Sequence, residues 1–290
     1  PTPAPTATPA PPPPSPTATP APTPTPYHYE AFVAGDYSIA PKVYNELAPG
    51  QNGRDSFEVK GGFEFPLFGP TWMLEGDYHH VEYIHPANGS ALSCAAGGVG
   101  CNTVVGNDPN YLVGSCPAAD PGCVTAPGYS NTAAFNGLTQ AYVPGFYAKE
   151  DDVDAKFGLK VADPRVYIGV GGFFKRYNYL GYPNLSGAGA GIEKLPDLEN
   201  GFSVYGSGWY YPKVTGKYTY PNSTFLGDLS GSTIDLQYSI LKYEVGATIG
   251  LGKSPLYIDL GYGGEKFHAV SGAPSNTQVS APFAGLGLHF

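Results

Sequence analysis

From Tyr27 onward, charged residues and large apolar residues sort onto opposite parities of short segments. In Ser56–Phe65, Phe57, Val59, Phe63 and Phe65 alternate with Glu58, Lys60 and Glu64. Successive side chains of a β-strand point to opposite faces, so this segment has one greasy face and one face carrying charge. The split recurs in Val153–Val161, where Asp154, Lys156 and Lys160 oppose the apolar set. It recurs again in Leu256–Tyr262 around Asp259, and in Leu241–Leu251 with Lys242 and Glu244 inside. The polar face of a half-solvated sheet would carry many more charges. Here that face is mostly glycine with a few charges of both signs, which suits a narrow enclosed lumen. A Lys or Arg turned towards lipid near the bilayer midplane costs about 2–4 kcal/mol, so these charges are assigned to the inside.

Composition agrees. Aromatics reach 14% and glycines number 40, while charged residues make up only 13%, about half the share usual in soluble domains. No run approaches the roughly 18 apolar residues of a helical membrane span, but barrel strands cross with shorter alternating segments. The net charge of −9 argues against a nucleic-acid partner, which calls for a basic stripe. With its only methionine at Met73, the chain is expected to be a processed or excised product, compatible with a secretory signal ahead of Pro1.

The connections alternate in length. Tight turns are expected at Phe68-Gly69-Pro70, Ala162-Asp163-Pro164 and Gly252-Lys253-Ser254-Pro255, with Val214-Thr215-Gly216 as a fourth. Longer connections fall at about 45–54, 86–145, 182–198 and 221–232. Short turns on one side and long loops on the other are the wiring of an outer-membrane barrel. The pattern predicts an all-β fold, a transmembrane antiparallel up-and-down β-barrel of about ten strands, with eight or twelve as alternatives. The strands are placed at roughly 28–41, 54–66, 71–85, 146–162, 165–181, 199–211, 215–221, 233–251, 256–270 and 278–290. Ile240 and Leu241, two adjacent apolar residues, suggest a bulge or the wall rising above the bilayer.

The chain ends in Phe283-x-Gly285-x-x-Leu288-x-Phe290. This tail resembles the C-terminal assembly signal of bacterial outer-membrane β-barrels, although Phe283 stands where that family usually carries a polar residue. Together with the alternation, the whole of 27–290 resembles a small outer-membrane barrel of Gram-negative-type bacteria. The resemblance implies Gly285, Leu288 and Phe290 as assembly-signal positions, barrel-assembly machinery as a partner during biogenesis, and outer-membrane lipid around the wall. It also implies short turns in the periplasm and long loops, above all 86–145, outside the cell.

The first 26 residues comprise 13 Pro, 7 Thr, 5 Ala and one Ser. Such a segment cannot bury a core and favours polyproline II at about 3.1 Å per residue. It is expected to be a disordered periplasmic linker, a spacer or a tether to a cell-wall or periplasmic partner.

Candidate chemistry is sparse. His80 and Glu82 share a strand face and are weak candidates for a metal pair, whereas His79 points the other way. Glu75, Asp77, Asp152, Asp154, Asp259 and Glu265 invite an acid–base reading. They are spread among lysines, however, and an ion-paired lumen filling is expected from Glu58, Lys60, Glu64, Glu75, Asp77, Asp154, Lys156, Lys160, Lys242, Glu244 and Asp259. There is no Gly-x-Ser-x-Gly elbow, phosphate loop or His-Glu-x-x-His pattern, so no cofactor is expected. The expected function is a non-enzymatic membrane anchor and surface-interaction or structural protein, with a narrow porin-like channel for ions or small solutes as the alternative.

Cys94, Cys101, Cys116 and Cys123 all fall within 86–145. An even count confined to one external loop points to two disulfides. Of the three connectivities, Cys94–Cys101 with Cys116–Cys123 closes the shortest loops. Zinc ligation normally uses pairs two to four residues apart, closer than these. Mass spectrometry of the non-reduced protein should find no alkylatable thiol and only links within 94–123; four free thiols in freshly isolated protein would overturn the disulfides.

Overall fold

The computed structural model describes residues 30–45, 49–85, 103–104, 112–113, 146–178, 182–219, 231–273 and 275–290. The Pro-rich segment and all four cysteines lie outside the described residues. Among the described residues there are thirteen strands: β1 (Glu30–Ser38), β2 (Lys42–Tyr44), β3 (Pro49–Pro66), β4 (Thr71–His85), β5 (Thr103–Val104), β6 (Leu112–Val113), β7 (Phe146–Ala162), β8 (Val166–Tyr177), β9 (Leu185–Lys194), β10 (Phe202–Thr219), β11 (Thr233–Gly250), β12 (Leu256–Ser271) and β13 (Thr277–His289). β5 and β6 pair only with each other, and the other eleven form one antiparallel sheet.

That sheet is closed. β1 pairs with β3 from Glu30↔Glu64 to Tyr37↔Phe57, and with β13 from Phe32↔His289 to Ser38↔Phe283. β2 continues the line of β1 beyond a bend at Ile39–Pro41 and also pairs with both β3 and β13. Counting β1 and β2 as one stave, the wall has ten, each bonded on both sides. The start of β1 and the C-terminal residue sit with the short turns: the amide of Phe290 donates to the carbonyl of Ala31 at 2.8 Å, and that of Ala31 to Phe290 at 3.2 Å.

Two of the ten staves differ from the sequence expectation. The segment 182–198 is not a loop, because it contains β9. The pair predicted at 199–211 and 215–221 is the single strand β10, and Val214-Thr215-Gly216 lies inside it. What interrupts β10 is a bulge, where the register shifts between Tyr211 and Val214. The inward parity changes from odd (Tyr205, Trp209, Tyr211) to even (Val214) across Pro212. Pro212 lacks the donor a regular ladder position needs, so a bulge is where a strand tolerates it. The fourth short connection is therefore 195–201. Ile240 and Leu241 mark no bulge either: Ile240 is fully buried in the lumen while Leu241 faces out.

The glycine strand escapes pattern reading for a packing reason. The inward positions of β9 between Leu185 and Glu193 are all Gly, and β10 fills the space they leave. A Cβ at Gly191 would lie 2.5 Å from Trp209 Cδ2, and one at Gly189 would lie 2.7 Å from Tyr211 Cδ1. Without glycine the two indole and phenol rings would have no room beside the wall.

The outward face is apolar. Val33, Val59, Phe63, Leu74, Val153, Ile168, Val170, Phe174, Ile192, Val245, Leu260 and Leu286 are all exposed, far beyond the apolar area a water-soluble monomer leaves bare. At the short-turn end, Phe68, Phe202 and Phe290 project outward at 95%, 62% and 72% exposure. Beside them Trp72 stacks on Phe157 with ring centroids 4.9 Å apart. An apolar band edged by aromatic rings around a charged interior is the build of a membrane-spanning barrel, the fold class expected from the sequence.

The protein should migrate faster unboiled than boiled on a denaturing gel and show β-type circular dichroism in detergent. Val170→Arg, at an outward position 62% exposed, should lower unfolding free energy in liposomes by about 2–4 kcal/mol. A change below about 0.5 kcal/mol, as at a wet surface, would overturn the lipid-facing assignment.

Candidate functional site

The lumen is organised around five permanent cations, each held by carboxylates from several strands. Lys60 (β3) reaches Glu244 at 2.6 Å, Asp259 at 3.0 Å and Asp36 at 3.2 Å. Lys156 (β7) meets Glu75 at 2.8 Å and Asp77 at 3.0 Å, with Glu193 at 3.9 Å. Lys242 (β11) meets Asp152 at 2.7 Å, Asp77 at 3.5 Å and also Asp154. Lys175 (β8) meets Glu150 at 3.1 Å, Asp152 at 3.5 Å and also Glu265. Arg165, in the β7–β8 turn, bridges Glu30 at 2.7 Å and Glu64 at 3.0 Å.

Aromatic side chains complete these cages. The hydroxyl of Tyr205 donates to Asp259 at 2.6 Å, that of Tyr211 to Asp154 at 2.6 Å, and that of Tyr83 to Glu150 at 3.0 Å. Trp209 Nε1 donates to Glu193 at 3.1 Å, and the Tyr167 hydroxyl donates to Glu64. Four ammonium groups also lie over rings: Lys60 over Tyr205 (4.8 Å) and Phe283 (5.0 Å), Lys156 over Trp209 (5.6 Å), Lys175 over Phe267 (4.9 Å) and Lys242 over Phe173 (5.5 Å). Buried charges survive only when paired and hydrogen-bonded, and the rings add attraction at positions where a polar residue would compete for the same acids. Phe283, the departure from the assembly-signal pattern, is one of these caps: it points inward against Lys60.

At the short-turn mouth the connection 195–201 folds into the opening. Leu195 and Leu198 are buried in the lumen core with Phe32, Met73 and Tyr167, and Arg165 donates to the carbonyl of Pro196. Aromatic bulk therefore fills much of the interior that the sequence suggested was lined by glycine and charge.

Of the residues expected in the lumen network, Lys60, Glu64, Glu75, Asp77, Asp154, Lys156, Lys242, Glu244 and Asp259 come together as described. Glu58 faces the same interior and lines a small cavity there. Lys160 does not belong: it pairs at 2.6 Å with Asp163 of the β7–β8 turn, whose side chain is 87% exposed. Strand alternation carries Lys160 past the end of the lumen to the rim. The network also draws in Glu30, Asp36, Glu150, Asp152, Arg165, Lys175, Glu193 and Glu265. Apart from Arg165, which lies in a turn, their parity was the available signal. It was hidden where large rings share the inward face, as Phe173 and Tyr177 do around Lys175, and where β9 showed no alternation around Glu193.

His80 and Glu82 both point outward and are drawn to separate partners. His80 Nδ1 lies 2.6 Å from Asp151, which also accepts from the Tyr78 hydroxyl at 2.6 Å and from Arg176 at 2.8 Å. Glu82 pairs with Lys149 at 3.0 Å and Arg54 at 3.7 Å. These residues form a polar collar on β3, β4, β7 and β8, and β4 and β7 are the strands from which the 86–145 segment departs. Among the described residues, one set of acids lies close enough for metal ligation: Asp77, Asp152 and Asp154, with ligand oxygens within 4.8 Å of one another. The Lys242 ammonium already sits on all three.

The solved structure of the outer membrane protease OmpT from Escherichia coli is similar to this chain with a TM-score of 0.37 at 9% identity, covering 90% of this chain and 93% of OmpT. The Ail attachment invasion locus protein of Yersinia pestis, solved with the heparin analogue sucrose octasulfate, gives a TM-score of 0.28 at 11% identity, covering 90% of this chain and 97% of Ail. No protein-family model matches the chain and no curated protein matches its sequence. The barrel assignment stands on this chain's own strand pairing and wall chemistry.

Lys156→Ala should destabilise the barrel by about 3–5 kcal/mol, because it leaves Glu75 buried without its cation and Asp77 with only the longer contact to Lys242. Lys160→Ala, removing a rim pair, should cost under about 1 kcal/mol. Urea titrations in liposomes compare the two, and equal losses would show that the lumen cages carry no special weight.

Proposed function

We propose that this protein is a non-enzymatic barrel of the bacterial outer membrane, an anchor whose working surface is the external segment 86–145. The observation that carries this is the filled lumen. Trp209, Tyr83, Tyr167, Tyr211, Tyr238 and Lys175 are each less than 2% exposed inside it, and every inward cation is clasped. A ten-stranded wall encloses little more than its own side chains, so such an interior supports a structural post better than a pore. The carboxylates that suggested acid–base catalysis are engaged by lysines, which supports a structural role for them.

The polar collar of Arg54, His80, Glu82, Lys149, Asp151 and Arg176 supports the orientation. It lies away from the short turns, on the strands that launch 86–145, where a wall leaves the hydrocarbon and meets headgroups. The start of β1 at Glu30 and the C-terminal Phe290 lie at the opposite mouth, which supports a periplasmic 1–26 linker able to reach a cell-wall or periplasmic partner. Outer-membrane lipid and the barrel-assembly machinery are the remaining partners in this scheme. The alternative is a narrow channel, favoured by one observation: a charged cavity in mid-lumen.

Planar-bilayer recording separates the two. Purified protein should show conductance far below that of a general porin, and it should stay low after 86–145 is replaced by a short turn. That truncated barrel should remain heat-modifiable on gels while losing surface binding to cells or matrix shown by the full chain. Large, long-lived conductance steps from the intact protein would establish the channel instead.

A further inference from the structure

The permanent cations of the collar on β3, β4, β7 and β8 each have a carboxylate beside them: Arg54 pairs with Asp55 at 3.0 Å, Lys149 with Glu82 at 3.0 Å and Arg176 with Asp151 at 2.8 Å. On β2, β12 and β13 the outward face differs. Lys266 of β12 is exposed and enters no ion pair among the described residues. Its ammonium lies 5.9 Å from the centroid of the Tyr243 ring. An aromatic face holds a cation in place without neutralising it, so the charge stays available to an outside anion.

The strand sets the height of Lys266. Ten residues of β12 separate it from Leu256 at the short-turn end. At about 3.3 Å per residue and a tilt of roughly 40°, they rise about 25 Å, the height of a barrel's apolar band. Below it the outward residues Leu256, Leu260, Tyr262 and Val245 are exposed and apolar or aromatic. The outward row through Lys266 reads Leu241, Lys266, Gln278 and Tyr44 across β11, β12, β13 and β2. A groove of about 420 Å3 opens along this row, lined, besides Phe267, by Tyr44, Lys266, His268, Asn276, Thr277 and Gln278. Each of these six side chains can donate a hydrogen bond, and none is a carboxylate. Asn276 Oδ1 accepts from the amide of Ala269 at 2.9 Å, which orients the side chain and leaves its NH2 for another acceptor.

We propose that this groove holds the phosphate of an anionic membrane lipid, with Lys266 as its charge partner and Asn276, Gln278 and Tyr44 as hydrogen-bond donors. The acyl chains then run down the wall over Tyr262 and Leu260. A donor-only lining around an unpaired ammonium selects an anion, and the height selects its source. Where the hydrocarbon ends, the anions at hand are lipid phosphates, and a ligand with a charged head and apolar tails matches a polar groove continuous with an apolar face. The collar cannot serve in the same way, because its own acids occupy its cations. The site requires the membrane-spanning barrel but is independent of the anchor function, since an inert post and a channel could equally carry it.

The test uses the full chain, delipidated in a neutral detergent and titrated with phosphatidylglycerol or with zwitterionic phosphatidylcholine, with bound lipid counted by native mass spectrometry. Wild type should retain one phosphatidylglycerol in preference to phosphatidylcholine, and inorganic phosphate in excess should not displace it. Lys266→Gln should weaken retention about tenfold, the loss expected for one charge-assisted contact. Asn276→Asp, which sets a carboxylate in the groove, should weaken it at least as much. Lys253→Gln, in the exposed β11–β12 turn at the opposite mouth, should change nothing. Heat-modifiable migration of each variant separates loss of the site from loss of the fold. Equal retention of the two lipids by wild type would overturn the proposal, and that comparison decides even if a variant fails to fold. Equal losses in Lys266→Gln and Lys253→Gln would reduce the effect to overall charge and overturn it as well. Ready displacement by inorganic phosphate would make the groove a general anion site and overturn the lipid assignment.

Discussion

Closure of β1 onto β13 is the contact on which the rest of this structure depends. Inside a bilayer no water is available to an unpaired backbone amide or carbonyl, so an open sheet edge would leave a row of costly groups in hydrocarbon. Seven register pairs between Phe32↔His289 and Ser38↔Phe283 remove that edge. The terminal Phe290 locks the bottom of the seam through both of its backbone groups to Ala31. Beyond Ser38 the first stave bends, and β2 takes over the pairing with β13 and β3. The seam is thus made in two pieces, and the cavity lies beneath the joint.

Closure also creates the interior. Residues far apart in the chain meet only once the wall is round: Lys60 and Glu244 are 184 positions apart and Arg165 and Glu30 are 135 apart. Each lumen cation is satisfied by acids from different staves, so the cages tie the wall across its diameter as well as along its ladders. Pairs of this kind add little to stability over an apolar filling, but losing one partner is severe. They therefore penalise wrong registers strongly, since a one-residue slip would turn every such charge towards lipid. The inward glycines belong to the same design, because a Trp209 or Tyr211 ring pressed flat against β9 needs the missing Cβ.

These constraints bear on function through what they leave free. The interior is committed to holding the wall together, and the outward belt is committed to lipid. Among the described residues, the collar on β3, β4, β7 and β8 belongs to neither the lumen nor the lipid-facing belt.

The period-two split of apolar and charged residues was enough to assign the fold class, the parity of β3, β7, β11 and β12, and nine members of the lumen network. That information is local, because parity along a strand follows from the backbone alone. The tenfold stave count was also reached, but with β9 missing and β10 divided. A strand of Gly and Ala carries no alternation to read, and a Pro-containing bulge looks like a turn until its neighbours are known. Only the closed structure decided which acid meets which cation, that Lys160 lies at the rim, and that Phe283 caps Lys60. Those are contacts across the barrel, and their distances exist only after ten staves with their twist and stagger have fixed its diameter.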